Sequence, residues 1–532
     1  MKEIYYVILF PAIAGLLGFI INRLRSELDF LGFFLALYFS IKIFIISQTS
    51  IISYKIATIA GIDLRFYLDN LAGLVLLFNA IFAILIWVYS LRAMSKTPKE
   101  RVYYFYIAMV LSVANCIAVS GNLIFLLILW NGLALLLYGF LLVGKIDSSG
   151  AAKKSITIIA LADFIMMLGI LILSIKLAGK INFPFESRIL LRDPWMITSF
   201  IMILISGIAK AGVVPLHSWV PEAASVEPAS TMAFTTTVVN SLLGTYLLIR
   251  MSYFVFDISS SIVLRFILMA IGALTIVIAV IKAITQKEAM QFISFQGITQ
   301  IGYIIMGIGT GLPIGIAAAI FHMVNNAISK ASLFLSLGSI EFRTKTTKFA
   351  ELGGLRKKLP FTMFAFIIAA LAIADIPPLN GFYSKWLLYQ GVIQFSKIAN
   401  LGLIFILVMI FGGAMTLVSF LKTFYVLFLR RSPKKLERVY EPRFEMVTPT
   451  LILSLACIMF GIFAKFVLSK IVDHSVLLTV LDFGSWLRTL PTLMIVIGIF
   501  LGVVIFLCSK RLRPSSLPIS NERFYEIKEN NA

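Results

Sequence analysis

The chain consists of apolar runs of about 20 residues that recur from end to end, separated by short polar segments. A run of this length can cross a bilayer as an α-helix. The pattern therefore predicts an all-α integral membrane protein with about 14–15 transmembrane helices. The predicted spans are residues 4–22, 28–47, 67–91, 102–120, 122–143, 154–178, 195–221, 228–252, 261–285, 290–309, 313–340, 359–393, 401–429, 448–470 and 490–509.

Two of these spans are interrupted by proline. The seventh contains Pro215, and the twelfth contains Pro377 and Pro378. Proline removes a helix hydrogen bond, and irregular backbone at membrane depth persists only inside protein or beside a wet cavity. Paired broken spans are typical of transporters built from two structural repeats. The alternative interpretation is two ordinary proline kinks.

Composition agrees with a single membrane domain. Charged residues make up 13% of the chain and apolar residues 60%, whereas about a quarter of a soluble protein is charged. The net charge of +21 resides in loops between spans, as the cytoplasmic loop bias requires, so we expect no nucleic-acid partner. The distribution of loop Lys and Arg predicts a multi-pass protein of the cell membrane, with its N-terminus outside and its C-terminus in the cytoplasm.

The three cysteines give no sign of a redox or metal centre. Cys116, Cys457 and Cys508 each lie alone in an apolar run, without metal or iron–sulfur spacing. They fit the pattern of small buried apolar residues. We therefore predict that this chain binds neither a metal nor a cofactor.

Ionisable residues inside the spans are the candidate site residues, because a charge in hydrocarbon is costly and usually faces a cavity or a partner. Lys210 lies beside the first break, and Asp163 is the only carboxylate of the sixth span. Asp375 and Lys385 flank the second break, and Lys422 lies in the thirteenth span. A lysine near the end of a span can instead extend its ammonium to the interface.

A polar stripe follows one face of the eleventh span. His322, Asn326 and Lys330 are spaced by four residues, which places them on one side of a helix. Such a stripe can support a chain of protons and water, or it can simply hold helices together. Glu222, just after the first break, has the position of an ordinary acidic residue at a helix start.

The sequence around these residues resembles the antiporter-like subunits of complex I, of membrane-bound hydrogenases and of the multisubunit Mrp cation/proton antiporters. The similar segments are KAGVVPLHSWVPE (210–222), GITQIGY (297–303), FHMVNNAISKASLF (321–334), LGGLRKKLP (352–360) and IPPLNGFYSKW (376–386).

The resemblance implies a core of two inverted five-helix repeats with broken seventh and twelfth helices. On that basis we divide the chain into N-terminal helices (1–101), a first repeat (102–252), a second repeat (261–429) and C-terminal helices with a short cytoplasmic tail (430–532). It also implies a polar axis along the membrane plane through four residues, Lys210, His322, Lys330 and Lys385.

The chain departs from the family pattern at several positions. Trp130-Asn131 occupies the place of the usual Trp-Glu, whose carboxylate pairs with the lysine of helix seven. Asn131 cannot be ionised, so we hypothesise that Asp163 takes over that partnership. Asn326 replaces a second histidine, and Asp375 replaces the glycine before the twelfth-helix prolines.

Together these features predict an ion-translocating subunit, for H⁺ or Na⁺, of an NADH dehydrogenase-like or hydrogenase-type complex. Iron–sulfur, nickel–iron or flavin groups are expected only in peripheral redox subunits, and further membrane subunits are expected as partners. The alternatives are a subunit of an Mrp-type Na⁺/H⁺ antiporter and, because titratable groups such as that at Asn131 are missing, a structural subunit that does not pump.

Overall fold

A computed structural model describes residues 2–59, 62–144, 148–185, 187–399, 402–471 and 490–511. Residues 512–532, which contain the predicted cytoplasmic tail, lie outside the described residues. The helices are α1 (Lys2–Ile20), α2 (Arg25–Ser47), α3 (Asn70–Ala93), α4 (Glu100–Ala118), α5 (Leu123–Leu141), α6 (Ser148–Lys176), α7 (Pro194–Ala211), α8 (Trp219–Val226), α9 (Ala229–Phe234), α10 (Thr245–Ile249), α11 (Ile262–Thr285), α12 (Ala289–Gly309), α13 (Pro313–Thr344), α14 (Pro360–Ile373), α15 (Asn380–Ser396), α16 (Gly402–Phe424), α17 (Phe444–Ile462), α18 (Ala464–Ile471) and α19 (Leu490–Arg511).

Short non-α segments complete several of these helices. The span Ala229–Val255 joins α9 and α10 through the π-helical stretches Thr235–Gly244 and Arg250–Val255. A further π-helical turn, Tyr425–Leu429, extends α16. Single 3₁₀ turns occur at Asn22–Leu24, Ile258–Ser260, Phe349–Glu351, Leu355–Lys357 and Lys434–Leu436.

The prediction of an all-α integral membrane protein is confirmed. Within the described residues, 13 helices are long and apolar enough to span a membrane. The spans differ in how much of their surface other parts of the protein cover. In an apolar 18-residue stretch of 229–255 and of α12, 100% of the residues are buried, whereas 33% are buried in the corresponding stretches of α1 and α2. The central helices are therefore surrounded by protein, and the outer ones present apolar side chains to the bilayer.

The chain also contains two small β elements that its sequence did not lead us to predict. Strands β1 (Ile52–Ile59) and β2 (Ile62–Leu68) form an antiparallel hairpin between α2 and α3, and β3 (Ile189–Leu190) pairs in parallel with β4 (Phe256–Asp257). The hairpin continues onto the α4–α5 turn, where the Gly121 amide donates to Arg65 O at 2.8 Å. A Cβ at Gly121 would lie 2.9 Å from that oxygen, so the approach requires glycine.

Both interrupted spans are discontinuous helices. The helix α7 ends at Gly212, whose φ of 73° is left-handed, and the chain resumes as α8 after Pro215. The twelfth predicted span becomes α14 and α15, separated by a turn that holds Pro377 and Pro378. The helix breaks are thus where the prolines indicate them, whereas the repeat boundaries at 102–252 and 261–429 stay predictions.

Candidate functional site

A fully buried ion pair joins α6 to the end of α7. The Lys210 ammonium lies 2.5 Å from Asp163 Oδ2, and both side chains have an exposed fraction of 0%. Lys210 occupies the last turn of α7, immediately before the break, and Asp163 lies within α6. Because Asn131 replaces the usual glutamate, we hypothesised that Asp163 is the partner of Lys210. The structure brings these two residues together.

Neighbouring side chains hold this pair in place. Trp130 Nε1 lies 3.1 Å from Asp163 Oδ1 and 2.6 Å from Ser206 Oγ, and Ser206 Oγ donates to Asp163 Oδ1 at 2.5 Å. The Trp130 ring also faces the ammonium of Lys210, with 4.5 Å between Nζ and the ring centroid. Hydrogen bonds and an aromatic face offset the cost of removing both charges from water.

A second buried ion pair lies at the second break. Lys385 Nζ, on α15, lies 2.8 Å from Asp375 Oδ1 and 3.0 Å from Oδ2, and it donates to Ile373 O at 3.2 Å. The Tyr303 ring of α12 faces this ammonium at 4.2 Å from its centroid. Each break thus carries one lysine, one carboxylate and one aromatic ring.

The helix α13 connects the two ion pairs. Asn326 Nδ2 donates to Ser241 Oγ at 3.2 Å, and one turn earlier His322 Nδ1 lies 2.8 Å from Ser384 Oγ, beside Lys385. On the other side, Asn240 Nδ2 donates to Ala211 O at 3.4 Å, beside Lys210. We call the set Lys210, Ala211, Asn240, Ser241, Asn326, His322, Ser384 and Lys385 the polar row.

Lys330 lies one turn beyond Asn326 on α13. Its side chain is 2% exposed and packs against α12, where a Cβ at Gly297 would lie 2.7 Å from Lys330 Cδ. In the described part of the chain, no hydrogen bond or ion pair is recorded for this ammonium. Lys330 differs in this respect from the lysines of the two ion pairs.

Several buried polar atoms near the polar row have no hydrogen-bond partner among the described residues. They include His322 Nε2, Asn326 Oδ1 and both amide atoms of Gln300, which lies one turn before Tyr303. Buried polar groups of this kind are normally satisfied by internal water. The polar row therefore consists largely of hydroxyl, amide and imidazole groups, which can hydrogen-bond to a chain of internal water molecules.

Three secondary candidates lie away from the polar row. Asn131 is on the exposed face of α5, and its Nδ2 donates to Leu127 O of its own helix, at 2.9 Å. Lys422 is exposed near the end of α16. Glu222 pairs with Lys154, and both side chains are about two-fifths exposed (42% and 41%). These three side chains face away from the buried ion pairs, and their part in translocation stays a prediction.

Sequence reasoning missed several contributors to the site. Trp130, Ser206 and Tyr303 contact the buried charges directly. A buried ion pair between Arg250 and Asp69 was also missed; Arg250 Nη2 donates to Asp69 Oδ1 at 2.8 Å. The available signals were that Tyr303 ends one of the segments that carry the family resemblance and that Trp130 stands at the place of the usual Trp-Glu pair.

No metal site appears in the part of the chain that the structure describes. No group of three or more His, Cys, Asp or Glu side chains there is arranged to hold a metal ion. The cysteines Cys116, Cys457 and Cys508 are all free. That redox cofactors belong to partner subunits remains a prediction.

The fold and the site define a polytopic helical membrane protein with charged pairs buried at the breaks of two helices. The family described as "NADH:quinone oxidoreductase/Mrp antiporter, TM" matches residues 120–429, more than half of the chain. The chain belongs to this family, as the motifs predicted.

The similar proteins include a subunit of an NADH-quinone oxidoreductase and a subunit of a Na⁺/H⁺ antiporter. The chain is 27% identical over 434 residues to NADH-quinone oxidoreductase subunit N of Desulforudis audaxviator, covering 78% of this chain and 85% of the relative. It is 27% identical over 511 residues to Na(+)/H(+) antiporter subunit A1 of Staphylococcus haemolyticus, covering 89% of this chain but 62% of that relative.

A solved structure supports the fold. The chain superposes with a TM-score of 0.80 on a chain of the membrane-bound sulfane sulfur reductase, an archaeal respiratory membrane complex. The two share 24% identity, and the match covers 98% of this chain and 87% of the other.

Proposed function

We propose that this chain is an antiporter-like membrane subunit that translocates H⁺ or Na⁺ within a multisubunit complex of the cell membrane. The observation that carries the proposal is the polar row, which runs between two buried lysine–carboxylate pairs at helix breaks. Groups of this kind are too costly inside a membrane to be retained without a use.

The proposed mechanism exploits the difference between the three buried lysines. The ammonium groups of Lys210 and Lys385 each have a carboxylate partner, whereas no ion pair is recorded for Lys330 among the described residues. Opening of the Lys210 pair would release a proton toward α13, where Lys330 would accept it, and water along Asn326 and His322 would carry it on to Lys385. Closing the pair would then reset that end of the row.

The driving force is proposed to come from partner subunits. In a redox complex, electron transfer in peripheral subunits would bias the nearest ion pair; in an Mrp-type assembly, a gradient of the second ion would do so. The relatives named above include both kinds of protein. We also propose that the N-terminus lies outside the cell and the C-terminus in the cytoplasm, because of the distribution of Lys and Arg among the loops.

The pairing of Asp163 with Lys210 weakens the alternative of a subunit that does not pump. That alternative rested on Asn131, which removes the usual carboxylate partner of the lysine, and Asp163 supplies a carboxylate instead.

The experiment is purification of the intact complex under mild conditions, with mass spectrometry of its subunits, followed by ion uptake in proteoliposomes. We expect Lys330→Met to assemble normally and to lower uptake at least about tenfold, the effect of about 1.4 kcal/mol. Lys434→Gln, an exposed loop substitution, is the control. Normal ion uptake by the assembled Lys330→Met complex would overturn the proposed path. Redox subunits in the purified complex would indicate that electron transfer drives transport, and their absence would indicate that an ion gradient does.

A further inference from the structure

A cavity of about 680 Å³ opens between the ends of α11 and α16 and the segment that follows α13. Four of its lining residues are cations and one is acidic. The cations are Lys287, Lys348, Lys422 and Arg430, and the acid is Glu288. We call it the basic cavity; none of its charged residues belongs to the polar row.

Backbone pairing brings two of the cations together from distant parts of the chain. The Ala289 amide donates to Thr347 O at 2.9 Å, and the Phe349 amide donates to Lys287 O at 3.0 Å. These bonds tie the α11–α12 turn to the segment after α13, so that Lys287 and Lys348 line the same opening. Both lysine side chains are exposed.

The inner wall of the basic cavity is apolar and firmly packed. Phe292 meets Phe349 edge-on, with 6.1 Å between ring centroids, and meets Phe420 in the same way at 5.2 Å. Ala283 and Val426 add further apolar surface. The cavity therefore combines an apolar wall with a cationic rim.

The position of the cavity matches the headgroup region of a bilayer. Ala283 is in the last turn of the span α11, and Arg430 directly follows the span Gly402–Leu429. At that depth a lipid presents its phosphate just outside its acyl chains. A rim of cations above an apolar wall is complementary to both parts of such a molecule.

We propose that the basic cavity binds the headgroup phosphate of an anionic phospholipid, with the upper acyl chains against the Phe292 wall. Four cations converge on one cavity, and clusters of Lys and Arg beside membrane spans are typical sites for anionic lipid headgroups. An acidic segment of a neighbouring subunit would also satisfy the cations, yet it would leave the apolar wall without a partner.

The test is native mass spectrometry of the intact complex titrated with phosphatidylglycerol or with phosphatidylcholine. We expect selective retention of phosphatidylglycerol, and about 30-fold weaker retention in the Lys287→Gln/Lys348→Gln variant, since each surface charge contributes about 1 kcal/mol. Lys434→Gln/Lys435→Gln is the matched control, because it removes the same charge from exposed residues that do not line the cavity.

Four results would overturn the proposal. Equal retention of the two lipids in the unmodified complex would remove the preference for an anionic headgroup, and this comparison needs no variant. An equal loss of phosphatidylglycerol retention in the cavity variant and in the control variant would show that the lipid binds elsewhere. Displacement by millimolar inorganic phosphate would indicate a free-anion site, and a cross-link from Lys287 to a carboxylate of another subunit would identify a polypeptide occupant.

Discussion

Lys210 and Asp163 form an ion pair with no side-chain surface exposed to bulk solvent, and 2.5 Å separates Nζ from Oδ2. Lys385 and Asp375 repeat this arrangement at the other broken helix. The aromatic rings that face the ammonium groups come from α5 and α12, the second helix of each predicted five-helix repeat. This correspondence is what two related halves would produce, and the division into two repeats stays a prediction.

Asp375 is expected to be needed for ion transfer, although its backbone conformation favours glycine. Its φ is 65°, a left-handed value that costs about 1 kcal/mol for a residue with a Cβ. We predict that Asp375→Gly and Asp375→Asn both lower ion uptake at least about tenfold, because Lys385 loses its carboxylate. The glycine variant should unfold at the higher temperature of the two.

The measurements are proteoliposome uptake and thermal unfolding of the purified complex. Lys397→Gln, at the exposed end of α15, serves as the control. Full uptake by Asp375→Gly would show that Lys385 works without this carboxylate.

Asn131 should be dispensable despite its position in the family motif. Its side chain is exposed, and its Nδ2 donates to Leu127 O of its own helix. We predict that Asn131→Leu changes uptake less than about twofold, in line with the small effects of outward-facing substitutions. Adding Asn131→Glu to the Asp163→Asn variant should fail to restore uptake, because the side chain at position 131 points away from Lys210. Rescue by that glutamate would contradict the orientation of α5.

The Arg250–Asp69 pair is expected to stabilise the fold rather than to conduct. Arg250 uses two nitrogens to contact the two oxygens of Asp69, and Asp69 Oδ1 also accepts from the Ala72 amide at the start of α3. Arg250→Met leaves a buried carboxylate unpaired and should cost about 3–5 kcal/mol of unfolding free energy. Arg250→Lys keeps the charge but cannot form both contacts, so it should cost about 1–2 kcal/mol.

Thermal unfolding of the complex measures both losses, and uptake per assembled complex should be unchanged. An Arg250→Lys variant as stable as the parent would show that the two-nitrogen contact is unimportant.

The hairpin between α2 and α3 should loosen in acid. The Lys55 ammonium and the Thr58 hydroxyl bond to Asp63 and lower its pKa to about 2. Because the folded pKa lies below the unfolded value of about 4, Asp63 stabilises the hairpin above pH ~4, and this stabilisation is lost as the pH falls from ~4 to ~2.

Hydrogen exchange of the β1 and β2 amides, corrected for intrinsic rates, should show this loss of protection. The Asp63→Asn variant should have weaker protection at pH ~4 and little further change at pH ~2. An unchanged pH dependence in that variant would assign the effect to another group.

The sequence predicted the spans and the two breaks because apolar length and proline act locally. It did not predict the β1–β2 hairpin, although ISYKIATI and IDLRFYL alternate apolar and polar residues as a strand does. Because this short alternating segment lies between two long apolar runs, we interpreted it as a loop between two spans.

The site was predicted in part for a related reason. The charges at Lys210, Asp163 and Lys385 stand out because few charges occur inside spans. Trp130 and Asn131 are adjacent in sequence but about 100° apart around a helix, and only the packing of α5 shows that the tryptophan faces inward. The outward positions of Lys422 and Glu222 depend on packing in the same way.

The most direct test of the central claim is ion uptake by complexes carrying Asp163→Asn, Lys210→Met or both, each compared with its thermal stability. Either single change leaves one buried polar or charged group without its partner, at a cost of up to about 3–5 kcal/mol. The double variant should recover most of that stability, because no charge is left unpaired, yet uptake should stay at least about tenfold low. Normal uptake by the stable double variant would contradict the account, since the pair would then be structural only.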